Sequence, residues 1–145
     1  MTSQLNVDTI VDKAGSGGVG IKIGNHATSI YESDGGAVTQ NTVQSLVKTW
    51  LNMNGTGTVA SRDSFNSSGI TDNGTGEYIN NLTNAMANTT YAASGESGTL
   101  GANNENMFVC TFGRSTGSVR GSNMSDGGSA ADRDLYCIMV AGDLA

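Results

Sequence analysis

The chain has 145 residues, 37% of them apolar and only 14% charged, with a formal net charge of −6. That length fits one domain. Most of the remainder is Gly, Ser, Thr and Asn, so a single copy has a thin core that association with other copies would supplement. The seven Lys and Arg are scattered, which argues against a nucleic-acid patch or an electrostatic membrane anchor. No run approaches the ~20 apolar residues of a membrane span. The opening MTSQLNVD lacks a basic region followed by an apolar one, so no secretory leader is expected.

LNVDTIVD places Leu5, Val7, Thr9 and Val11 against Asn6, Asp8 and Asp12, with Ile10 alone breaking the polar row. A period of two predicts a strand. KAGSGG turns the chain, and Val19, Ile21 and Ile23 alternate again; together these read as a hairpin arm. NHATSIYES adds a short strand, and Ser33 to Gly36, SDGG, breaks it. In AVTQNTVQSLVKTWL, residues Val43, Leu46, Val47, Trp50 and Leu51 recur at helical spacing, which predicts a short helix from about Thr39 to Lys48. A helix this short is marginal alone and needs a partner surface.

From Trp50 the pattern is β to the end: TWLNMN, TVASRDSFN, GIT, EYINNL, TTYAAS, MFVCTFGR, GSVRGSN and DLYCIMVAG. Short strands between turn signals imply a sandwich or barrel. NGTG occurs twice, at Asn54 and at Asn73. Asn-Gly supplies the positive backbone angles of tight hairpin turns, so Asn54, Gly55, Asn73 and Gly74 are read as turn-forming. SGESGTLGANNEN and SNMSDGGSAADRD are expected to be long polar loops.

Reactive constellations are weak. GSGGVG, Gly15 to Gly20, matches the dinucleotide fingerprint formally, but a β pattern follows it where the fingerprint needs a helix. Asp126, Asp132 and Asp134 cluster without the spacing or closing Glu of a calcium loop. Asp63 and Glu77 have no feature that pairs them for glycan hydrolysis. His26, the single histidine, has no neighbour with nucleophile–base logic. Cys110 and Cys137 sit in apolar runs. They read as buried free thiols, with a disulfide open if their strands pair. Tyr31, Tyr78, Tyr91 and Tyr136 read as packing residues. The sequons such as NGT and NLT follow from Asn, Ser and Thr richness. No catalytic, cofactor or metal residue is assigned.

KTWLNMNGTGTVASRDSFNSSGITDNGTGEYINNLTNAMANTTY resembles a segment of tail-fibre-like proteins of tailed bacteriophages, particularly marine and cyanobacterial ones. The family form reads roughly K-A-W-V-N-F-N-G-T-G-T-V, then S-F-N, S-I-T-D-N-G-T-G-D-Y, A-M-P and a Tyr. Trp50, Asn52, Asn54 to Val59, Ser64 to Asn66, Ile70 to Gly76, Tyr78, Ala85, Met86 and Tyr91 match it, while Ala87 stands where the family has Pro. LNVDTIVDKAGSGG and VAGDLA look like the first and last strands of the same proteins.

The resemblance implies a non-enzymatic virion structural protein, assembled in a bacterial host cytoplasm. The expected fold is mainly β. Residues 1–37 form an N-terminal β arm for attachment, 38–49 a short helix or neck, and 50–145 an antiparallel, jelly-roll-like β-sandwich. The expected assembly is a homotrimer. Leu5, Val7 and Ile10 are expected to attach the chain to other virion proteins of tail, collar or capsid. Val43, Leu46, Val47 and Trp50 are expected at the subunit interface. The alternatives are a head decoration protein stabilising the capsid and a carbohydrate-binding module that meets a host surface glycan.

Overall fold

The computed structural model describes residues 30–32, 39–41, 46–101, 107–125 and 127–145. They form ten strands: β1 (Ile30–Glu32), β2 (Thr39–Asn41), β3 (Val47–Asn54), β4 (Ala60–Phe65), β5 (Ser67–Gly74), β6 (Glu77–Leu82), β7 (Ala92–Gly98), β8 (Met107–Arg114), β9 (Ser118–Ser125) and β10 (Leu135–Ala141). The fold is mainly β, as the patterning predicts. Strands β1 and β2 pair with each other, and β3 to β10 make one antiparallel sheet in the order β4-β3-β10-β7-β8-β9-β6-β5.

The alternation that predicted the strands also sets the core. Leu51 and Met53 of β3, Tyr78 and Leu82 of β6, Val119 of β9, and Tyr136, Ile138 and Val140 of β10 are buried together. Residues from opposite ends of the sheet order thus share one core, so the sheet curls until its halves face each other. Two contacts fix the closure. The rings of Tyr78 and Tyr136 meet edge to face at 5.3 Å, a favoured aromatic geometry. Asn80 Nδ2 donates to Thr49 Oγ1 at 3.3 Å, from β6 to β3.

Asn66 makes the curl possible. It is the single residue between β4 and β5, the two strands at opposite ends of the sheet order. Its φ of 54° is the one positive value at a non-glycine among the described residues; Asn tolerates this region better than most side chains. Its amide holds the bend in place. Nδ2 donates to Lys48 O (3.0 Å) and Asn84 O (3.1 Å), and Oδ1 accepts from Asn84 N (2.7 Å). One curled eight-stranded antiparallel sheet thus stands where two separate layers of a jelly-roll-like sandwich were expected.

The helix expected over Thr39 to Lys48 does not form at its described residues: 39–41 are β2, and β3 starts at Val47. Val47, Thr49, Leu51 and Met53 also alternate at period two, and β-branched Val and Thr fit a pleated surface better than a helix. A ladder to β10 on one side and β4 on the other outweighs the weak stability of a three-turn helix. Part of the first expected polar loop is also strand. Residues 95–98 belong to β7, which lies between β10 and β8, where small Gly and Ser side chains fit beside larger neighbours.

Candidate interaction surfaces

The NGTG turns meet in space, and their second glycines take the left-handed conformation. Gly57 has φ 64° and Gly76 has φ 67°, with Gly74 at 121°. In the first turn neither Asn54 nor Gly55 has a positive φ, so the expectation that Asn-Gly provides the turn angle is corrected there; in the second, Gly74 of the Asn-Gly pair provides one and Asn73 does not. Asn54 instead folds its side chain over the loop: Oδ1 accepts from Thr56 N (3.1 Å) and Thr56 Oγ1 (2.8 Å), an Asx-type turn. Asn73 Nδ2 donates to Glu77 Oε1 at 3.3 Å. Gly55 is buried, and a Cβ there would lie 2.4 Å from the Tyr78 hydroxyl.

Both turns are tied to the loop before β10. Gly55 N donates to Arg133 O at 2.8 Å. Gly76 N donates to Asp132 Oδ1 at 2.6 Å. The Tyr78 hydroxyl reaches Asp132 Oδ1 (2.8 Å) and Gly55 O (2.9 Å), its one proton shared between two acceptors. Burial first, then the hydrogen bond and charge of Asp132, push the Tyr78 hydroxyl well above the usual phenol range. Asp134 accepts from Leu100 N at 3.0 Å. The carboxylates of SDGGSAADRD that fall within the described residues therefore hold loops together; Asp126 lies outside those residues. Among the described residues, no three His, Cys, Asp or Glu gather as a metal set. Glu77 pairs with Arg120, not with Asp63. Tyr78, Tyr91 and Tyr136 are buried core residues.

A second surface lies on the outer face of β4, β3, β10 and β7. Register places Phe65, Trp50, Met139 and Ser94 side by side in one row. Asp63, Asn52, Cys137 and Glu96 form the next row. A bulge between Val140 and Ala141 pairs Val47 with Ala141 and Thr49 with Val140. It takes Lys48 out of register and turns Val47 to the same outer face as Trp50. Phe65 is 54% exposed, Met139 53% and Val47 41%; Leu46, just before β3, is 53% exposed. Between them Trp50, Met139, Cys137, Glu96, Ser94 and Gly95 line a groove of about 440 Å³. The Cys137 thiol is raised from its ordinary value by burial and by the nearby Glu96.

Of the expected interface residues, Leu46, Val47 and Trp50 border or form this face, and Val43 lies outside the described residues. So do Leu5, Val7, Ile10, His26 and the GSGGVG run. Phe65 and Met139 were missed by sequence reasoning. Only the strand register reveals that they flank Trp50; Phe65 shares its side of β4 with Asp63, and Met139 shares its side of β10 with Leu135 and Cys137. Cys137 is a free thiol. Its strand β10 is separated from Cys110's strand β8 by β7. Two inter-strand steps of about 4.8 Å exceed the ~7 Å Cα limit of a disulfide, so these strands do not provide the pairing a bridge required.

Comparison with known proteins finds no matching family model, no matching curated protein and no matching solved structure.

Proposed function

We propose that the chain is a non-enzymatic structural protein on the surface of a tailed bacteriophage particle, of tail-fibre type. In this reading the N-terminal segment with Leu5, Val7 and Ile10 attaches to other virion proteins. The β domain faces outward toward the host, and three copies associate. The observation that carries the reading is the use made of the segment that resembles phage fibres. Its two NGTG turns, Tyr78 and the facing Asp132 bind strands and loops to one another. That is a scaffold's use of polar residues, with the acceptors consumed internally.

Head decoration is the second reading, because a β domain clamping capsomers needs the same self-sufficient scaffold. Quantitative mass spectrometry of purified particles against the major capsid protein separates the two. A copy number of a few tens or fewer fits tail symmetry, whereas one on the order of hundreds fits icosahedral decoration. Absence from the particle overturns both and brings the carbohydrate-binding reading forward.

A further inference from the structure

The two NGTG turns contain the only Asn-Gly dipeptides of the sequence, Asn54-Gly55 and Asn73-Gly74. Asn-Gly is a labile peptide context. Glycine lets its own backbone nitrogen approach the preceding carboxamide carbon unhindered, and asparagine is among the residues lost to heat. The tetrapeptide is identical in both turns, so the intrinsic chemistry is matched. The fold gives the two copies opposite environments.

At the first turn the reacting atoms are occupied. Gly55 is buried, and its N–H donates to Arg133 O at 2.8 Å, a neutral carbonyl that cannot take the proton. The Asn54 carboxamide is held on Thr56 at three points: Nδ2 donates to Thr56 O (2.9 Å), and Oδ1 accepts from Thr56 N (3.1 Å) and Thr56 Oγ1 (2.8 Å). At the second turn Asn73 and Gly74 are both exposed. Gly74 N–H donates to Asp72 Oδ1 at 3.0 Å. A carboxylate at hydrogen-bond distance from the nitrogen that must lose its proton has the geometry of a general base. The Asn73 carboxamide is held more loosely, through Nδ2 to Glu77 Oε1 at 3.3 Å. Register pairs Asp72 with Tyr78 and Gly74 with Glu77, which leaves Asn73 as the extra residue of a bulge, outside the regular ladder.

We infer that Asn73 is a self-modification site, at which the Gly74 nitrogen attacks Asn73 Cγ while Asp72 draws off the Gly74 amide proton. The Gly74 N–Cγ bond forms and the Cγ–Nδ2 bond breaks. The proton taken by Asp72 leaves with Nδ2 as ammonia, and a succinimide ring closes. Water then opens the ring at either carbonyl, giving aspartate or isoaspartate. Both products add one negative charge to the formal net of −6. Residue 73 then repels Glu77 in place of donating to it. Isoaspartate also lengthens the main chain by one atom, which the bulge places outside the paired residues of β5 and β6.

The test compares the two turns within one molecule. Full-length protein is held in mildly alkaline buffer, and the peptides carrying each turn are quantified by mass spectrometry, with electron-transfer fragmentation separating isoaspartate from aspartate. In the native protein Asn73 should convert at least ~10-fold faster than Asn54, which reacts only when its turn opens locally. In urea the two identical tetrapeptides should convert at similar rates. Asp72→Asn keeps an acceptor for the Gly74 N–H but removes the base, so it should slow Asn73 at least ~10-fold in the native protein and little in urea. Equal native rates at Asn54 and Asn73 overturn the inference. So does a difference that persists unchanged in urea, or an Asp72→Asn protein that converts at Asn73 as fast as the wild type.

Discussion

The Tyr78 hydroxyl donates to Asp132 Oδ1 at 2.8 Å across 54 residues of sequence, joining β6 to the loop that also holds the two NGTG turns. The Tyr78 hydroxyl also donates to the first turn's Gly55 O, and Asp132 Oδ1 accepts the second turn's Gly76 N–H. Tyr78→Phe leaves the Gly55 carbonyl without this donor while keeping the ring packing against Tyr136. A loss of about 1–3 kcal/mol is expected in urea unfolding. Asp132→Ala should cost a similar amount. The double variant should cost less than the sum, by about 1 kcal/mol, because both single changes break the same bond. Strict additivity would mean that the bond does not form.

Gly57 and Gly76 separate backbone conformation from packing. Both sit at φ near +65°, so Ala at either position meets the left-handed penalty of about 1–2 kcal/mol. At Gly57 nothing lies within 4 Å of the added Cβ, whereas at Gly76 it would stand 2.7 Å from Ala131 N and 2.8 Å from Ala131 O. Thermal melts should therefore rank Gly76→Ala clearly below Gly57→Ala. Equal melting temperatures would contradict the close approach of the Gly76 turn to the loop before β10.

Asn66 combines both demands, a positive φ and a bonded amide. Asn66→Gly keeps the backbone angle but loses the bonds to Lys48 O, Asn84 O and Asn84 N. Asn66→Ala loses the bonds and meets the left-handed penalty as well. Asn66→Gly should cost about 2 kcal/mol and Asn66→Ala about 1 kcal/mol more. Denaturant titration of the three proteins gives the order directly.

Alkaline pH should weaken the fold. Burial raises the hydroxyls of Tyr78, Tyr91 and Tyr136 above the ordinary value of 10. The folded state thus holds protons that the unfolded state releases first. The stability this confers is complete below about pH 10 and is lost as pH rises from there toward the folded-state values. Tyr136→Phe should flatten this decline, since desolvation is the one cause of its shift. A stability profile between pH 8 and 12 that is the same for both proteins would rule this out.

Strands from Trp50 onward were legible because alternation in TWLNMN and EYINNL reports burial directly and LYCIMV is a continuous apolar run. The described part of the expected helix misled because Val47, Trp50 and Leu51 fit a helical face while Thr49, Leu51 and Met53 fit a strand face, and pairing with β10 and β4 selects the strand. The turn glycines were half legible. NGTG announced a reversal, but which residue takes positive φ depended on what each loop packs against. The outer face was illegible for a different reason. Phe65, Trp50 and Met139 come from three strands, so their adjacency is a property of register, and the bulge that turns Val47 outward leaves no mark in local sequence.

The bend at Asn66 has a consequence for self-association of an unwanted kind. A sheet normally ends in two separate rims of unpaired backbone groups, each a template for pairing with another chain. Here both rims, β4 and β5, leave the same corner. They are mostly exposed and interrupted by register shifts at Ser67/Gly69 and Asp72/Gly74 on β5 and opposite Asn52/Met53 on β4. Arg62 and Asp63 on one and Asp72 on the other add charge. A foreign strand approaching either rim therefore finds a kinked, charged border that no long flat ladder can extend, which guards the chain against fibrous aggregation.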